Sequence, residues 1–167
     1  PGASSVPFCR PEEEGLLFMW RASATVDVGG VPYALAPYDT LYVPRGASFR
    51  LHNPGTEPAV LVHCTAPAAR AHPVFHSRFA EFSTREDRIR RLSGKDVYLM
   101  FDVGEAADKL VAGYTFFQPM QRSWPPHNHT DQEEVYFFIK GHGSMEVYPS
   151  PEKLSFVHNV YEGDLVT

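Results

Sequence analysis

The chain has 167 residues, 43% of them hydrophobic and 21% charged, which is enough for one sizeable core or two small ones. Its net charge is −5, whereas nucleic-acid-binding proteins usually carry a basic surface. No apolar run approaches the roughly 20 residues that are needed to cross a bilayer. We therefore expect no nucleic-acid or membrane partner. Cys9 and Cys64 form no metal or redox spacing, so we expect reduced thiols and a cytoplasmic location, with a single disulfide between them as the alternative. Because the chain begins at Pro1 rather than methionine, we also expect a segment before it.

The first half of the chain is predicted to consist of short strands and turns. Gly29-Gly30 predicts a tight hairpin turn, and Asn53-Pro54-Gly55 separates two further strands. The predicted strands cover residues 16–20, 24–28, 31–35, 40–43, 48–52 and 58–65. Short strands at such close spacing are typical of a β-sandwich or barrel.

Residues 67–95 change in character and are predicted to be a linker. Alanine and proline come first, and a mixed-charge run follows in which Ser83 and Glu86 have the spacing of a helix capping box. The linker would join an N-terminal domain, residues 1–66, to a C-terminal domain, residues 96–167. Strands in the second domain are predicted at 96–101, 110–117, 135–139, 144–148 and 154–157.

One stretch of the second domain carries the residue types of a metal site. His127 and His129 are one residue apart, so on an extended strand their side chains would point to the same face. Glu134 follows five residues later and opens an apolar run. Two imidazoles and one carboxylate suit a borderline divalent metal such as zinc, iron, manganese or nickel. Such histidine pairs also occur on solvated strands and in turns.

The same spacing resembles the first sequence motif of the cupin superfamily. His127, His129, Glu134 and Gly141 fall on it, although Gln121 stands where the motif usually has glycine. In the first half, the second cupin motif is matched by Pro44, Gly46 and Asn53, while Tyr38 replaces its glycine and Phe49 its metal-binding histidine. The resemblance implies an all-β fold of two cupin barrels (double-stranded β-helix, jelly roll), the first without its metal ligand.

Within the cupins the chain is similar to the family of 5-keto-4-deoxyuronate and 5-deoxyglucuronate isomerases. The residues that carry the likeness are 33–35, Asp39, 41–46 and 127–138. The resemblance implies a homo-oligomer whose C-terminal barrel binds Zn²⁺ through His127, His129, Glu134 and a later histidine. That histidine is expected roughly eleven residues after Gly163, beyond Thr167, so we expect the second barrel to be truncated here.

The resemblance predicts a metal-dependent aldose–ketose isomerase that acts on a small sugar acid, a deoxy-keto-uronate, in carbohydrate catabolism. The candidate catalytic residues are Glu134, Tyr136 and Arg122. Metal ligation would lower the basicity of Glu134, Tyr136 could donate a hydrogen bond to substrate, and Arg122 could pair with a uronate carboxylate. The alternatives are a 5-deoxyglucuronate isomerase of inositol catabolism, a cupin iron oxygenase and a non-catalytic sugar-binding cupin.

Overall fold

A computed structural model of the chain describes residues 2–102, 104–105, 107–150 and 152–167. The chain divides into two compact units, Pro1–Phe116 and Phe117–Thr167, which we call the N-terminal and C-terminal units. The boundary between the two units, after Phe116, lies beyond the predicted linker at residues 67–95. Residues 67–95 contribute Phe75–Ser77 to a sheet of the N-terminal unit and Ile89–Leu92 to another. The predicted domain boundaries stay a prediction.

The regular structure of the N-terminal unit is almost entirely β-strand. A single turn of α-helix, α1 (Phe79–Phe82), and a 3-10 turn, Glu86–Arg88, are its helical segments among the described residues. The strands are β1 (Glu13–Arg21), β2 (Ala24–Val28), β3 (Val31–Leu35), β4 (Thr40–Val43), β5 (Phe49–His52), β6 (Val60–Pro67), β7 (Phe75–Ser77), β8 (Ile89–Leu92), β9 (Lys95–Phe101) and β10 (Ala112–Phe117).

Two antiparallel sheets enclose the main core of this unit. One has the strand order β6-β1-β4-β7 and the other has the order β3-β2-β5. Strand β2 alternates between buried and half-buried positions, as expected of a strand with one face on a core. The core contains buried side chains from both sheets, namely Leu17, Met19, Val26, Leu35, Leu41, Val43 and Phe49. The strands predicted in the first half of the chain are therefore confirmed.

The predicted turn between β2 and β3 is confirmed, and the predicted capping box is wrong. Gly29 and Gly30 both have positive φ, +60° and +89°, which glycine adopts without steric cost, and Val28 pairs with Val31 across the turn. Ser83 instead ends α1, and the 3-10 turn begins after Arg85 without a side-chain cap. Helical structure around Ser83 is too short for the capping spacing to apply.

The described residues of the C-terminal unit form four short strands in two pairs. They are β11 (Tyr136–Phe137), β12 (His142–Val147), β13 (Phe156–Tyr161) and β14 (Leu165–Val166). Strand β11 pairs with β14, and β12 pairs with β13 over six residues. The chain is thus all-β with antiparallel pairing, in agreement with the predicted cupin class. Within the described ranges, neither helical segment has the length and apolarity needed to cross a bilayer.

Candidate metal centre

The histidine pair lies in an irregular segment that we call the histidine loop, residues 118–135, between β10 and β11. The prediction that His127 and His129 lie on an extended strand is therefore wrong. Pro125 and Pro126 immediately precede His127, and proline has no N–H to donate to a strand ladder. A strand cannot propagate through two consecutive residues without donors, so this part of the chain forms a loop.

The loop nevertheless brings the three predicted ligands together. One ligand atom from each of His127, His129 and Glu134 lies within 4.8 Å of the others. The ring centroids of the two histidines are 5.4 Å apart, and Nε2 of His129 is 3.4 Å from Oε2 of Glu134. Across the described parts of the chain, no other group of three or more His, Cys, Asp and Glu side chains is as close.

The chemistry of these three donors fits a divalent metal. Imidazole nitrogen and carboxylate oxygen are both common ligands of zinc, and three protein ligands with remaining open positions are typical of catalytic rather than structural sites. All three residues are exposed, so substrate and water can reach the metal position. The 3.4 Å between Nε2 of His129 and Oε2 of Glu134 is close to the separation of two ligands that each lie about 2 Å from one ion.

Tyr136 joins this group from the neighbouring strand. It is half-buried at the start of β11, where it pairs with Val166 of β14. Burial, with a hydrogen bond from the Tyr136 hydroxyl to Glu134, raises the pKa of Tyr136 well above its usual value. The phenol therefore stays protonated and acts as a donor. The structure thus brings the predicted catalytic residues Tyr136 and Glu134 into contact.

Arg122 belongs to another cluster of the C-terminal unit. Its guanidinium contacts the Glu146 carboxylate and the Tyr148 hydroxyl, and its Cζ lies 4.3 Å from the ring centroid of Trp124. Hydrogen bonds from Tyr148 and then Arg122 hold the pKa of Glu146 below its usual value, so this carboxylate stays ionised. The sequence analysis did not identify Glu146 or Tyr148 as partners of Arg122, because they follow it by 24 and 26 residues.

Gln132 was also missed by the sequence analysis. Its side-chain nitrogen Nε2 is 2.8 Å from Nδ1 of His129. The contact joins residues three apart in a segment without regular structure, where sequence spacing does not determine side-chain direction. The sequence signal for this contact is that Gln132 carries an amide side chain and follows the candidate ligand His129 by three residues.

In the N-terminal unit, the two residues that replace cupin-motif positions have clear structural roles. Tyr38 has a φ of +73°, the left-handed conformation for which glycine is the usual residue. Phe49 is buried, with its ring stacked on Phe8 at 5.4 Å and edge-on to His63 at 5.5 Å. Burial lowers the pKa of His63, which favours the neutral ring. Phe49 therefore occupies the position that a metal ligand has in the cupin motif, and its ring packs there against other rings.

The fold and the donor spacing agree with a comparison against known protein families. Residues 27–167 match the profile of the KduI/IolB family, a cupin-type family. The chain belongs to the KduI/IolB family. The match includes the whole histidine loop and extends into the N-terminal unit. The resemblance that the sequence analysis noted is thereby confirmed.

Individual relatives point in the same direction. The chain is 26% identical over 122 residues to the 4-deoxy-L-threo-5-hexosulose-uronate ketol-isomerase of Opitutus terrae; the match covers 71% of this chain and 44% of the relative. The chain therefore spans less than half the length of that protein.

Two solved structures share the fold. An IolB-like protein from Salmonella typhimurium LT2 aligns with a TM-score of 0.73 at 19% identity, over 99% of this chain and 70% of the other. A protein from Pseudomonas aeruginosa assigned as glyoxylate-induced aligns with a TM-score of 0.51 at 17% identity, over 93% of this chain and 57% of the other.

Proposed function

We propose that this chain carries the metal centre of an aldose–ketose isomerase that acts on a deoxy-keto-uronate in carbohydrate catabolism, of the 4-deoxy-L-threo-5-hexosulose-uronate ketol-isomerase type. The observation that carries the proposal is the cluster of His127, His129 and Glu134 on an exposed loop. Membership of the KduI/IolB family and the ketol-isomerase activity for which the Opitutus relative is named support the choice of reaction.

The proposed reaction moves a proton between two adjacent carbons, so negative charge develops on the substrate oxygens. A divalent metal, which we propose is Zn²⁺, supplies Lewis-acid stabilisation of that charge when it is bound. His127, His129 and Glu134 would hold it. Tyr136 stays protonated and has one O–H donor, which would orient Glu134 in the free protein and turn to a reacting oxygen when substrate binds.

Arg122 is proposed to bind the uronate carboxylate. A guanidinium has five N–H donors, and the contacts of Arg122 with Glu146 and Tyr148 both use its Nη2 nitrogen. The N–H groups on Nη1 and Nε can therefore still donate to a further acceptor, so one of them could make a charge-assisted hydrogen bond to a uronate carboxylate. Its stacking on Trp124 and the contact with Glu146 would keep the guanidinium oriented before substrate arrives.

The proposal is tested by following substrate turnover in the purified protein and in a ligand variant. NMR would monitor ketose–aldose interconversion of 5-keto-4-deoxyuronate and, separately, of 5-deoxyglucuronate. We expect turnover of the first compound and its loss in His127→Ala, because the metal centre would lose a ligand. His158→Ala is the matched control, since His158 is an exposed histidine on β13 of the same unit and should retain activity.

The same samples separate this function from its alternatives. Turnover of 5-deoxyglucuronate alone would move the proposal to the inositol branch of the family. Substrate-dependent oxygen consumption with bound iron would replace the isomerase by an oxygenase. Sugar binding that is unchanged in a metal-free His127→Ala protein would favour a sugar-binding module. We further propose a homo-oligomer, which light scattering of the purified protein tests.

A further inference from the structure

His129 has a different neighbour at each of its two ring nitrogens. On one side, Nε2 is 3.4 Å from Oε2 of Glu134, which is another of the three candidate ligands. On the other side, Nδ1 is 2.8 Å from the side-chain nitrogen of Gln132. The side chain of His129 is 32% exposed, so the ring could reorient in the absence of these two contacts. Together they determine which nitrogen faces the candidate metal position.

We propose that Gln132 is a positioning residue that holds the His129 ring with Nε2 toward Glu134 and the metal, and that its amide does so in both tautomers of the ring. The inference rests on the metal centre proposed above. A neutral imidazole carries one N–H donor and one acceptor nitrogen, and the group bonded to the second nitrogen selects the tautomer. In metal sites such a partner typically fixes ring orientation as well.

An amide suits this role because it offers a donor and an acceptor at nearly the same place. Without metal, an Nε2–H group of His129 can donate to the Glu134 carboxylate, which only accepts. Nδ1 then has a free lone pair, to which the NH₂ group of Gln132 donates, as in the present geometry. When Nε2 acts as a ligand, the ring proton must lie on Nδ1. A half-turn of the Gln132 amide then places its carbonyl oxygen to accept that proton.

Two substitutions at this position separate the proposed role from an incidental surface contact. Gln132→Leu removes both the donor and the acceptor, while Gln132→Glu leaves only acceptors. The matched controls are Gln121→Leu and Gln121→Glu, which make the same changes at an exposed glutamine of the same loop. Both positions are exposed and lie outside the regular elements, so neither substitution changes a strand or a buried contact.

The first measurement is the tautomer of His129 in the metal-free full chain. Long-range ¹H–¹⁵N correlation spectra at about pH 8.5, where an ordinary imidazole is neutral, report which ring nitrogen carries the proton. We expect Nε2–H in the wild type. In Gln132→Glu we expect a shift toward Nδ1–H, because the new carboxylate can only accept. In Gln132→Leu we expect a mixture of tautomers, because the ring can flip without its partner and either nitrogen can then donate to Glu134. The Gln121 variants should match the wild type.

The second measurement is zinc affinity by competition with a chromophoric chelator, which requires no substrate. We expect Gln132→Leu to bind zinc about 10–100-fold more weakly, the usual effect of removing a partner of a ligating histidine. An affinity and a His129 tautomer that both equal those of the wild type would overturn the inference.

The outcomes also distinguish this inference from the proposed function. Weakened zinc binding in Gln132→Leu, in a protein that turns over neither uronate, would support the role of Gln132 and contradict the isomerase. If the wild type binds no zinc, the metal centre fails and the inference fails with it, because there is then no metal toward which Gln132 could hold the ring.

Discussion

Glu134 is held from two sides, by His129 at 3.4 Å and by the hydroxyl of Tyr136. The two contacts orient a carboxylate that is itself 42% exposed. Oriented ligands bind metal more tightly, because less conformational freedom is lost on binding. Tyr136, Gln132 and the three candidate ligands therefore act as one group in which each polar side chain limits the rotation of the next.

The contribution of Tyr136 to this group can be measured directly. Tyr136→Phe removes only the hydroxyl, so the packing of the half-buried ring should remain. We expect zinc affinity to fall about 10-fold, because a hydrogen-bond partner of a metal ligand is lost. Chelator competition provides the measurement, with Tyr161→Phe on the exposed surface of β13 as control. Equal affinities in the wild type and Tyr136→Phe would show that the hydroxyl does not position Glu134.

Arg122 makes a distinct residue-level prediction. Arg122→Met should raise the KM for the uronate substrate about 10–100-fold with a smaller change in kcat. The reason is that a charge-assisted hydrogen bond of about 1.5–3 kcal/mol is lost equally from the bound substrate and from the transition state. The control is Arg91→Met, since Arg91 is also an exposed arginine paired with carboxylates, Glu86 and Asp96. A KM that is the same in Arg122→Met and the wild type would exclude carboxylate binding by Arg122.

At the level of elements, a buried carboxylate connects β1 to a distant loop of the N-terminal unit. Glu14 is fully buried and accepts four hydrogen bonds, from the Tyr42 hydroxyl at 2.8 Å and from the backbone N–H groups of Asp108, Lys109 and Leu110 at 2.7–3.0 Å. Burial alone would raise the pKa of Glu14, but these hydrogen bonds outweigh it and lower the pKa below the ordinary 4.5. The ionised form therefore stabilises this part of the fold.

The lowered pKa of Glu14 predicts a specific acid sensitivity. A group whose pKa falls on folding contributes stability above its unfolded pKa, and this stability is lost as pH falls through the folded value. Glu14→Gln should lower the free energy of unfolding at neutral pH by about 2–4 kcal/mol, because an amide cannot accept all four hydrogen bonds. Its stability should also fall less steeply than that of the wild type below pH 4.5.

Denaturant unfolding of the wild type and Glu14→Gln at a series of pH values checks both parts of this prediction. Glu12→Gln, at an exposed position just before β1, is the matched control and should be close to the wild type. Parallel pH curves for Glu14→Gln and the wild type would contradict the assignment of ionised Glu14 as a stabilising group.

The elements that could be predicted from sequence are those set by local signals. Strand β2 and its hairpin turn follow from alternation and from two adjacent glycines. The role of Glu14 could not be predicted, because its side-chain donor, Tyr42, lies 28 residues away and its backbone donors lie 94 to 96 residues away. The histidine loop shows both cases. Residue types and spacing indicated the donor cluster, while the predicted strand is interrupted by the two prolines that precede His127.

At the scale of the whole molecule, the candidate chemistry lies in the C-terminal unit. In the N-terminal unit, the cupin-motif position of a ligand is taken by Phe49, whose contacts are apolar and aromatic. The family relation covers both units, whereas the donor cluster belongs to one. Substitutions in the N-terminal unit are therefore expected to act on activity through stability, and those in the histidine loop through metal and substrate binding.

The central claim is that His127, His129 and Glu134 hold a metal on which isomerisation depends. The most direct measurement is NMR-monitored ketose–aldose interconversion of 5-keto-4-deoxyuronate by the full chain, before chelation, after chelation and after zinc is restored. We predict interconversion that stops on chelation and returns with about one zinc per chain, and no return in His127→Ala. Interconversion that continues unchanged in the chelated protein, or its absence from a zinc-loaded protein, would contradict the account.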